Sequence, residues 1–562
     1  MQKTSSLYNA RLLAFLLNKH GVKNIIVSPG SRNAPLIIAL RVYGFNFYSI
    51  PDERAAAFSA VGMALADGKP AAVICTSGSA AANYLPAVTE AYYQKVPLLV
   101  ITADRPKEWI GQGAGQTIQQ ENIFGIHVLY AANFLREPHD DLGRQYNQRI
   151  ANEAIIKAFK GPVHLNVPFD EPLYDTIDFG TEDFRFIREL GDEQNLSNAD
   201  WQFLISPYLQ AKKVLIIAGQ ASEDEALKEV LKPLLDKPGH LLFTETLSNL
   251  TDLKGVHSID RLINTISEEQ KGFLQPDLVI SFGGEIVSKM LKSYLKDFKP
   301  KEHWNLSTGT HLVDTFQALT LSLRTRPLDF FRVLNSMDNQ GDSVWANEII
   351  NWDSLKYNLH KQFWQEAPFS DFKVFGQILN HLPDNSLFHC ANSASIRYAQ
   401  LFNQRSDILH YANRGTSGID GSTATAIGHA LNSDKNVSLV TGDIAYLYDS
   451  GAFWNDNLPN NLKIIVLNNG GGNIFRIIKG PENNADFERF QETKHALNLA
   501  GIAKTFGISY QVVTTEKEIE AGLENLYSQN NLAILEIQTP SEASPQVLKD
   551  YFQYLKKRSY DF

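Results

Sequence analysis

Short, continuously apolar runs alternate with amphipathic stretches through almost the whole chain. "LYNARLLAFLLNKHG" (7–21) spaces its apolar residues at helical intervals and stops at Gly21, a C-cap signal. "NIIVSPG" (24–30) then reads as a short buried strand that breaks into a turn. The helix "ERAAAFSAVGMALADG", the strand "AAVICTSG", the helix "SAAANYLPAVTEAYY" and the strand "VPLLVITAD" continue the alternation, and "GPVHLNVP" (161–168) closes it. Buried strands alternating with helices predict a parallel sheet covered on both faces.

The polar, acidic stretch 169–195 reads as a linker. A second block follows with "KKVLIIAG", "SEDEALKEVLKPLLD", "PDLVISFGG" and "VSKMLKSYLKDF", ending near the polar "NSMDNQGDS". A third holds "NSLFHCANS", "NVSLVTGD", "LKIIVLNN" and "NLAILEIQT" with helical segments between them. The fold class predicted is α/β, with three doubly wound parallel-sheet domains at 1–180, 195–345 and 365–562, each of ordinary domain size.

Composition narrows the function classes. The chain has 562 residues, 44% hydrophobic and 20% charged, with a formal net charge of -10. That balance argues against nucleic-acid or membrane-surface partners, and no apolar run reaches membrane-spanning length. "LLAFLL" is too short for a secretory signal. Cys75 and Cys390, both in apolar runs, read as reduced core residues, so a cytoplasmic location without membrane insertion is expected. No HExxH, GxSxG or GxxxxGK[ST] pattern occurs, and no GxGxxG opens a helix after a strand.

In open parallel sheets, ligands bind beyond the carboxyl ends of the strands. The turns there are "SPGSR", "PDER", "TSGSA", "TADRP", "CANS", "VTGD" and "LNNGGG". Gly442 and Asp443 end one strand, and Asn469 follows the next, after a crossover expected to be the helix "YLYDSGAFWND". Adjacent parallel strands would bring both side chains to one sheet edge. A carboxylate, an amide oxygen and a glycine carbonyl form a hard oxygen set suited to magnesium. Three glycines after Asn469 would let a diphosphate approach the backbone. A flexible turn is the plainer reading of the same residues.

The Gly-Asp … Asn-Asn pair and its interval resemble the cofactor motif of the thiamin-diphosphate enzymes. "NRGTSGIDG" (413–421), "TGDIAYLYDSGAF", "SPGSRNAPL" and "TADRP" are similar, more narrowly, to the 2-succinyl-5-enolpyruvyl-6-hydroxy-3-cyclohexene-1-carboxylate synthases of menaquinone biosynthesis. The resemblance runs from about residue 5 to 540. It implies a pyrimidine-binding, a central and a diphosphate-binding domain, and a homodimer or homotetramer whose chains share each site. It also implies the cofactors thiamin diphosphate and Mg2+ (or Mn2+). The implied reaction is decarboxylation of 2-oxoglutarate, with 1,4-addition of the resulting succinyl-semialdehyde carbanion to isochorismate.

Carried over by position, the metal ligands are Asp443, Asn469 and the Gly471 carbonyl, and the cofactor neighbours are Ser393, Ile419, Gly442, Ile474 and Phe475. Glu53 matches the glutamate that hydrogen-bonds the aminopyrimidine, although an acidic residue in a first helical turn also satisfies the helix dipole. Ser31, Arg32, Arg105, Gln116, Lys289, Arg397 and Arg414 match substrate-pocket positions, with Arg32, Gln116, Arg397 and Arg414 beside the chemistry. Arginine suits two dianionic substrates because its planar fork meets a carboxylate bidentately.

Gly115 and Gly470 depart from the larger polar residues common there. The polar segment after Phe475 is expected to order over the cofactor, with Ile474, Phe475 and Ile478 as an apolar wall. Two other readings stay open: another thiamin-dependent 2-oxoacid decarboxylase or carboligase, and a non-catalytic protein that keeps the fold.

Overall fold

A computed structural model describes residues 2–190, 195–309, 311–478, 480–481 and 484–557. The first sheet is built from β2 (Asn24–Val27), β3 (Asn46–Ser49), β4 (Ala71–Cys75), β5 (Leu98–Asp104), β6 (Tyr130–Asn133) and β7 (Pro162–Pro168), in the order β3-β2-β4-β5-β7-β6. The second holds β9 (Val214–Ala218), β10 (His240–Thr244), β11 (Leu278–Phe282), β12 (Glu302–Leu306) and β13 (Leu321–Leu323), ordered β10-β9-β11-β12-β13. The third has β14 (Leu387–Cys390), β15 (Leu409–Tyr411), β16 (Val437–Gly442), β17 (Leu462–Asn468), β18 (Ser509–Val513) and β19 (Ala533–Gln538), ordered β15-β14-β16-β17-β19-β18. Neighbouring strands in all three pair in parallel, so the chain is α/β as the apolar runs predict.

The stretch 169–195 differs from the expected linker. β1 (Lys3–Ser5) pairs antiparallel with β8 (Thr176–Asp178), returning the chain to the first block. Phe184 is buried there, edge-on to Tyr8 and Phe15, while Arg11 pairs with Glu182 at 2.7 Å. The apolar residues of this stretch, Phe169, Leu173 and Phe184 among the buried ones, are interspersed with acids and too scattered to signal this packing. The expected crossover "YLYDSGAFWND" also differs: its helix starts earlier, at Asp443–Tyr448, and a 3-10 turn at Ser450–Phe453 follows.

The first and third blocks share one continuous core. The helix Glu53–Asp67 packs along the helix Ser422–Leu431, with Phe58, Ala60, Ala424 and Ile427 buried in one cluster beneath both sheets. The second block clamps the third through Asn249, which donates to the His410 carbonyl and accepts from its N–H, and through Gln220 on the Ala412 carbonyl. Cys75 and Cys390 are buried and unpaired. Among the described residues no helix is long and apolar enough to cross a membrane.

Candidate functional site

β16 and β17 run in register, Gly442 opposite Leu467, so Asp443 and Asn469 leave neighbouring strand tips on the same edge. Both line a cavity of about 230 Å³, together with Gly442 and Gly471. Asp443 is buried; its Oδ1 accepts the Ile444 N–H and its Oδ2 accepts the Gly471 N–H at 2.9 Å. Asn469 donates Nδ2 to Asp371 Oδ2 at 3.1 Å, and its Oδ1 is buried without a hydrogen-bond partner. An acceptor left bare in a buried site is costly, so it suits a ligand that brings a donor or a cation.

The glycines of 470–472 have a reason the sequence did not reveal. Gly470 has φ +77°, and a Cβ on Gly471 would lie 2.9 Å from the Glu492 carbonyl oxygen. The Gly472 N–H donates to that same oxygen, and the His495 N–H donates to the Gly470 carbonyl. The chain's own 492–495 segment therefore occupies one side of the loop, anchored by Arg476 on the buried Glu492 carboxylate through Nε (2.5 Å) and Nη2 (2.7 Å). His495 Nε2 stands 3.3 Å from Asp443 Oδ2, an ion-pair distance without hydrogen-bond alignment, and the carboxylate raises the imidazole above its ordinary pKa.

Ile474 and Phe475 line the cavity, and so do Ser393 and Ile419. Ile478 does not, and parts of the segment expected to cover the site (479, 482 and 483) lie outside the described residues. Ser393 holds φ +74°, a strained value for a side-chain-bearing residue, where β14 turns into the helix Ala394–Ala399.

Two predicted arginines flank this turn. Arg397 Nη1 donates to the Ser393 carbonyl at 2.6 Å, and Arg414 Nη1 donates to Asn392 Oδ1 at 2.9 Å. Burial and then the charge of Arg414 lower the Arg397 pKa. The loop carrying Arg414 is fixed by Glu90, a buried residue the sequence reading missed. Its carboxylate accepts the N–H groups of Gly415 and Thr416 and the Thr416 hydroxyl, each at 2.7 Å.

The second block brings buried acids towards these cations. Glu245 accepts the N–H groups of Val287 and Ser288, both at 2.6 Å, and Ser288 Oγ donates to Asp260. Lys289 follows Ser288 and is exposed. Burial, helped by the nearby Asp260 charge, pushes the Glu245 carboxyl up to about 7. The folded protein thus holds this proton more tightly than the unfolded chain, and the contribution fades as pH rises from about 4.5 through about 7. In thermal melts, wild-type stability measured relative to Glu245→Gln is expected to fall across that window and level off above it. A constant difference from pH 4.5 to 8 would contradict this.

The remaining predicted residues gather at the carboxyl edge of the first sheet. Arg32 is buried, with Nη1 on the Phe169 carbonyl at 3.1 Å and Nη2 3.5 Å from Glu171 Oε1; burial and then Arg105 lower its pKa. Arg105 Nε donates to the Gly115 carbonyl, and the Gln116 carbonyl accepts from Ser77 Oγ. Gln116 holds φ +58°, and Ser31 is exposed beside Arg32. Glu53 is half-buried, accepting from Asn83 Nδ2 at 3.4 Å. Within one chain, Ser31, Arg32, Glu53, Arg105, Gln116, Lys289, Arg397 and Arg414 do not line the cavity at Asp443.

Three family models match in succession along the chain: the thiamine pyrophosphate enzyme N-terminal TPP binding domain over 9–123, the middle domain of thiamine pyrophosphate over 184–389, and the thiamine pyrophosphate enzyme C-terminal TPP binding domain over 390–537. Among curated proteins, the chain is similar to the 2-succinyl-5-enolpyruvyl-6-hydroxy-3-cyclohexene-1-carboxylate synthase of Flavobacterium johnsoniae, 41% identical over 97% of this chain and 98% of that one. It is likewise similar to the synthases so named from Porphyromonas gingivalis (37% identical, 98% of this chain and 97% of that one) and Bacteroides fragilis (37%, 98% and 99%).

Proposed function

The chain belongs to the 2-succinyl-5-enolpyruvyl-6-hydroxy-3-cyclohexene-1-carboxylate synthase family of thiamin-diphosphate enzymes, and we propose on that footing that it decarboxylates 2-oxoglutarate and adds the remaining four-carbon unit to isochorismate. The observation that carries the site is the buried, unpartnered Asn469 Oδ1 in the same cavity as the Asp443 carboxylate. With the Gly471 carbonyl these are hard oxygen donors, and they fit Mg2+ or Mn2+ completing its coordination with diphosphate oxygens. Ser393, Ile419, Gly442, Ile474 and Phe475, around the same cavity, would hold the rest of the cofactor.

Thiamin diphosphate, when bound, supplies the carbanion chemistry. Glu53 of one copy would share a proton with the pyrimidine ring nitrogen held by the other copy, which requires a homodimer or homotetramer. That Glu53 does not line the Asp443 cavity of its own chain supports that reading. Arg32, Arg105, Arg397 and Arg414, with Ser31, Gln116 and Lys289, would hold the substrate carboxylates and exclude water from the charge that develops. The three sheets support domains at 1–180, 195–345 and 365–562, and two buried free thiols fit a cytoplasmic enzyme.

The test is an omission assay. Turnover is expected only with 2-oxoglutarate, isochorismate, Mg2+ and thiamin diphosphate all present. Release of CO2 from pyruvate alone at a comparable rate would favour the decarboxylase reading instead. Light scattering on the active sample should show two or four chains.

A further inference from the structure

Asp371 lies behind the metal-site amide, and nothing in its local sequence marks it out. It opens the helix Asp371–His381 after the N-cap Ser370, a pattern that reads as an ordinary helix start. The structure gives it more to do. Its N–H donates to Ser544 Oγ at 2.9 Å, and its Oδ1 accepts Thr539 Oγ1 at 2.5 Å, so the carboxylate is pinned from the β19 side. Its Oδ2 accepts Asn469 Nδ2 at 3.1 Å and Asn473 Nδ2 at 3.4 Å.

A side-chain amide carries its donor and its acceptor on opposite branches of one rigid plane. Fixing Nδ2 therefore fixes where Oδ1 points. Asn469 and Asn473 each leave Oδ1 buried with no hydrogen-bond partner, and both residues line the same cavity as Asp371 and Asp443. Asn33, Asn133, Asn305 and Asn339 also bury an Oδ1 without a partner, so one such oxygen carries little; Asn469 and Asn473 differ in sharing one carboxylate and one cavity, which makes them a prepared oxygen pair. Packing alone does not require it, because either amide rotated by half a turn would set its carbonyl against the Asp371 carboxylate instead.

We infer that Asp371 is a positioning residue that orients both amides, so that Asn469 Oδ1 meets the divalent ion directly and Asn473 Oδ1 accepts from a water on that ion. This rests on the metal site proposed above. Magnesium and manganese commonly retain waters, which need an acceptor in a closed site. Outer partners of ligating groups set affinity by holding them in place.

The experiment measures binding rather than turnover. Free Mn2+ is followed by its EPR signal as it is titrated into the full-length protein with thiamin diphosphate present. Asp371→Leu, which removes both acceptors while keeping the branching of the side chain, is expected to weaken Mn2+ binding about 10–100-fold. Asp371→Asn can present its oxygen to the two amides and its NH2 to Thr539 Oγ1, so it should recover most of that loss. Asn473→Ala removes the outer oxygen and its amide's donation to Asp371 but leaves Asn469 held, and should weaken binding by less than Asp371→Leu.

A wild-type Mn2+ affinity in Asp371→Leu, whether or not its melting temperature falls, would overturn the inference while leaving the metal site standing. Absence of Mn2+ binding by the wild-type protein would instead overturn the metal site itself. Should Asp371→Leu fail to fold, Asp371→Ala is titrated in its place and wild-type affinity there overturns the inference; unchanged affinity in Asn473→Ala overturns the assignment of its oxygen.

Discussion

Glu53→Gln is expected to lower turnover by about 10²–10⁴-fold, the range for loss of a positioned acid–base group. It should leave Mg2+ and thiamin diphosphate binding within a few-fold of wild type. The competing account is that Glu53 serves its own helix, as acidic residues in first turns do. The structure gives that work to its neighbour: Asp52 is the N-cap, accepting the Ala55 N–H at 3.0 Å. Glu53 itself makes one long contact, with Asn83 at 3.4 Å, and is half-buried. Glutamine preserves its shape, so the melting temperature of the variant should barely change. Single-turnover and steady-state rates at saturating substrate, alongside melts, separate the two accounts. Turnover within tenfold of wild type in a folded variant would remove Glu53 from the chemistry.

How far the sequence was readable follows from where each residue sits. Interior strands such as β4, β5, β16 and β17 are buried along most or all of their length and appear as unbroken apolar runs. The edge strands β3, β6, β15 and β18 are only partly buried and mix polar with apolar residues; β3 showed only through the turn "PDER" that follows it, and the other three gave no signal. The site divides in the same way. Asp443 and Asn469 were legible because each follows an interior strand at a tip where sheet geometry fixes the outcome.

Glu90, Glu245 and Asp371 were not legible, because each acts on backbone or side chains far away in sequence. Glu90 holds residues 415 and 416, Asp371 holds residues 469 and 473, and Glu245 holds residues 287 and 288. Locally, Glu90 and Asp371 look like ordinary polar helix positions and Glu245 like a turn residue after a strand. The glycines after Asn469 were singled out correctly, but the close approach the structure shows there comes from the chain's own segment at Glu492 and His495.

Gly428→Ala is the second substitution expected to do serious damage, and it acts through the crossing of two helices rather than through the cavity. A Cβ at 428 would lie 1.9 Å from the Ser59 carbonyl oxygen, and a Cβ at Gly62 would lie 2.0 Å from the Thr425 carbonyl oxygen. Both obstacles are backbone, so no side chain can turn aside and the helices Glu53–Asp67 and Ser422–Leu431 must separate. Those helices join the first and third blocks through their shared core, with Ser59 Oγ also donating to the Ala424 carbonyl.

Forcing extra volume into such packing costs about 1–3 kcal/mol, and more where backbone cannot yield. The expected result is a fall in melting temperature of about 5 °C or more. Gly62→Ala should do the same. The double variant should cost less than the sum of the two, because one methyl already opens the gap that the other needs. Gly44→Ala is the control: nothing lies within 4 Å of its added carbon, so its melting temperature should match wild type. Equal melting temperatures for Gly428→Ala and Gly44→Ala would mean that the two helices do not meet at these glycines.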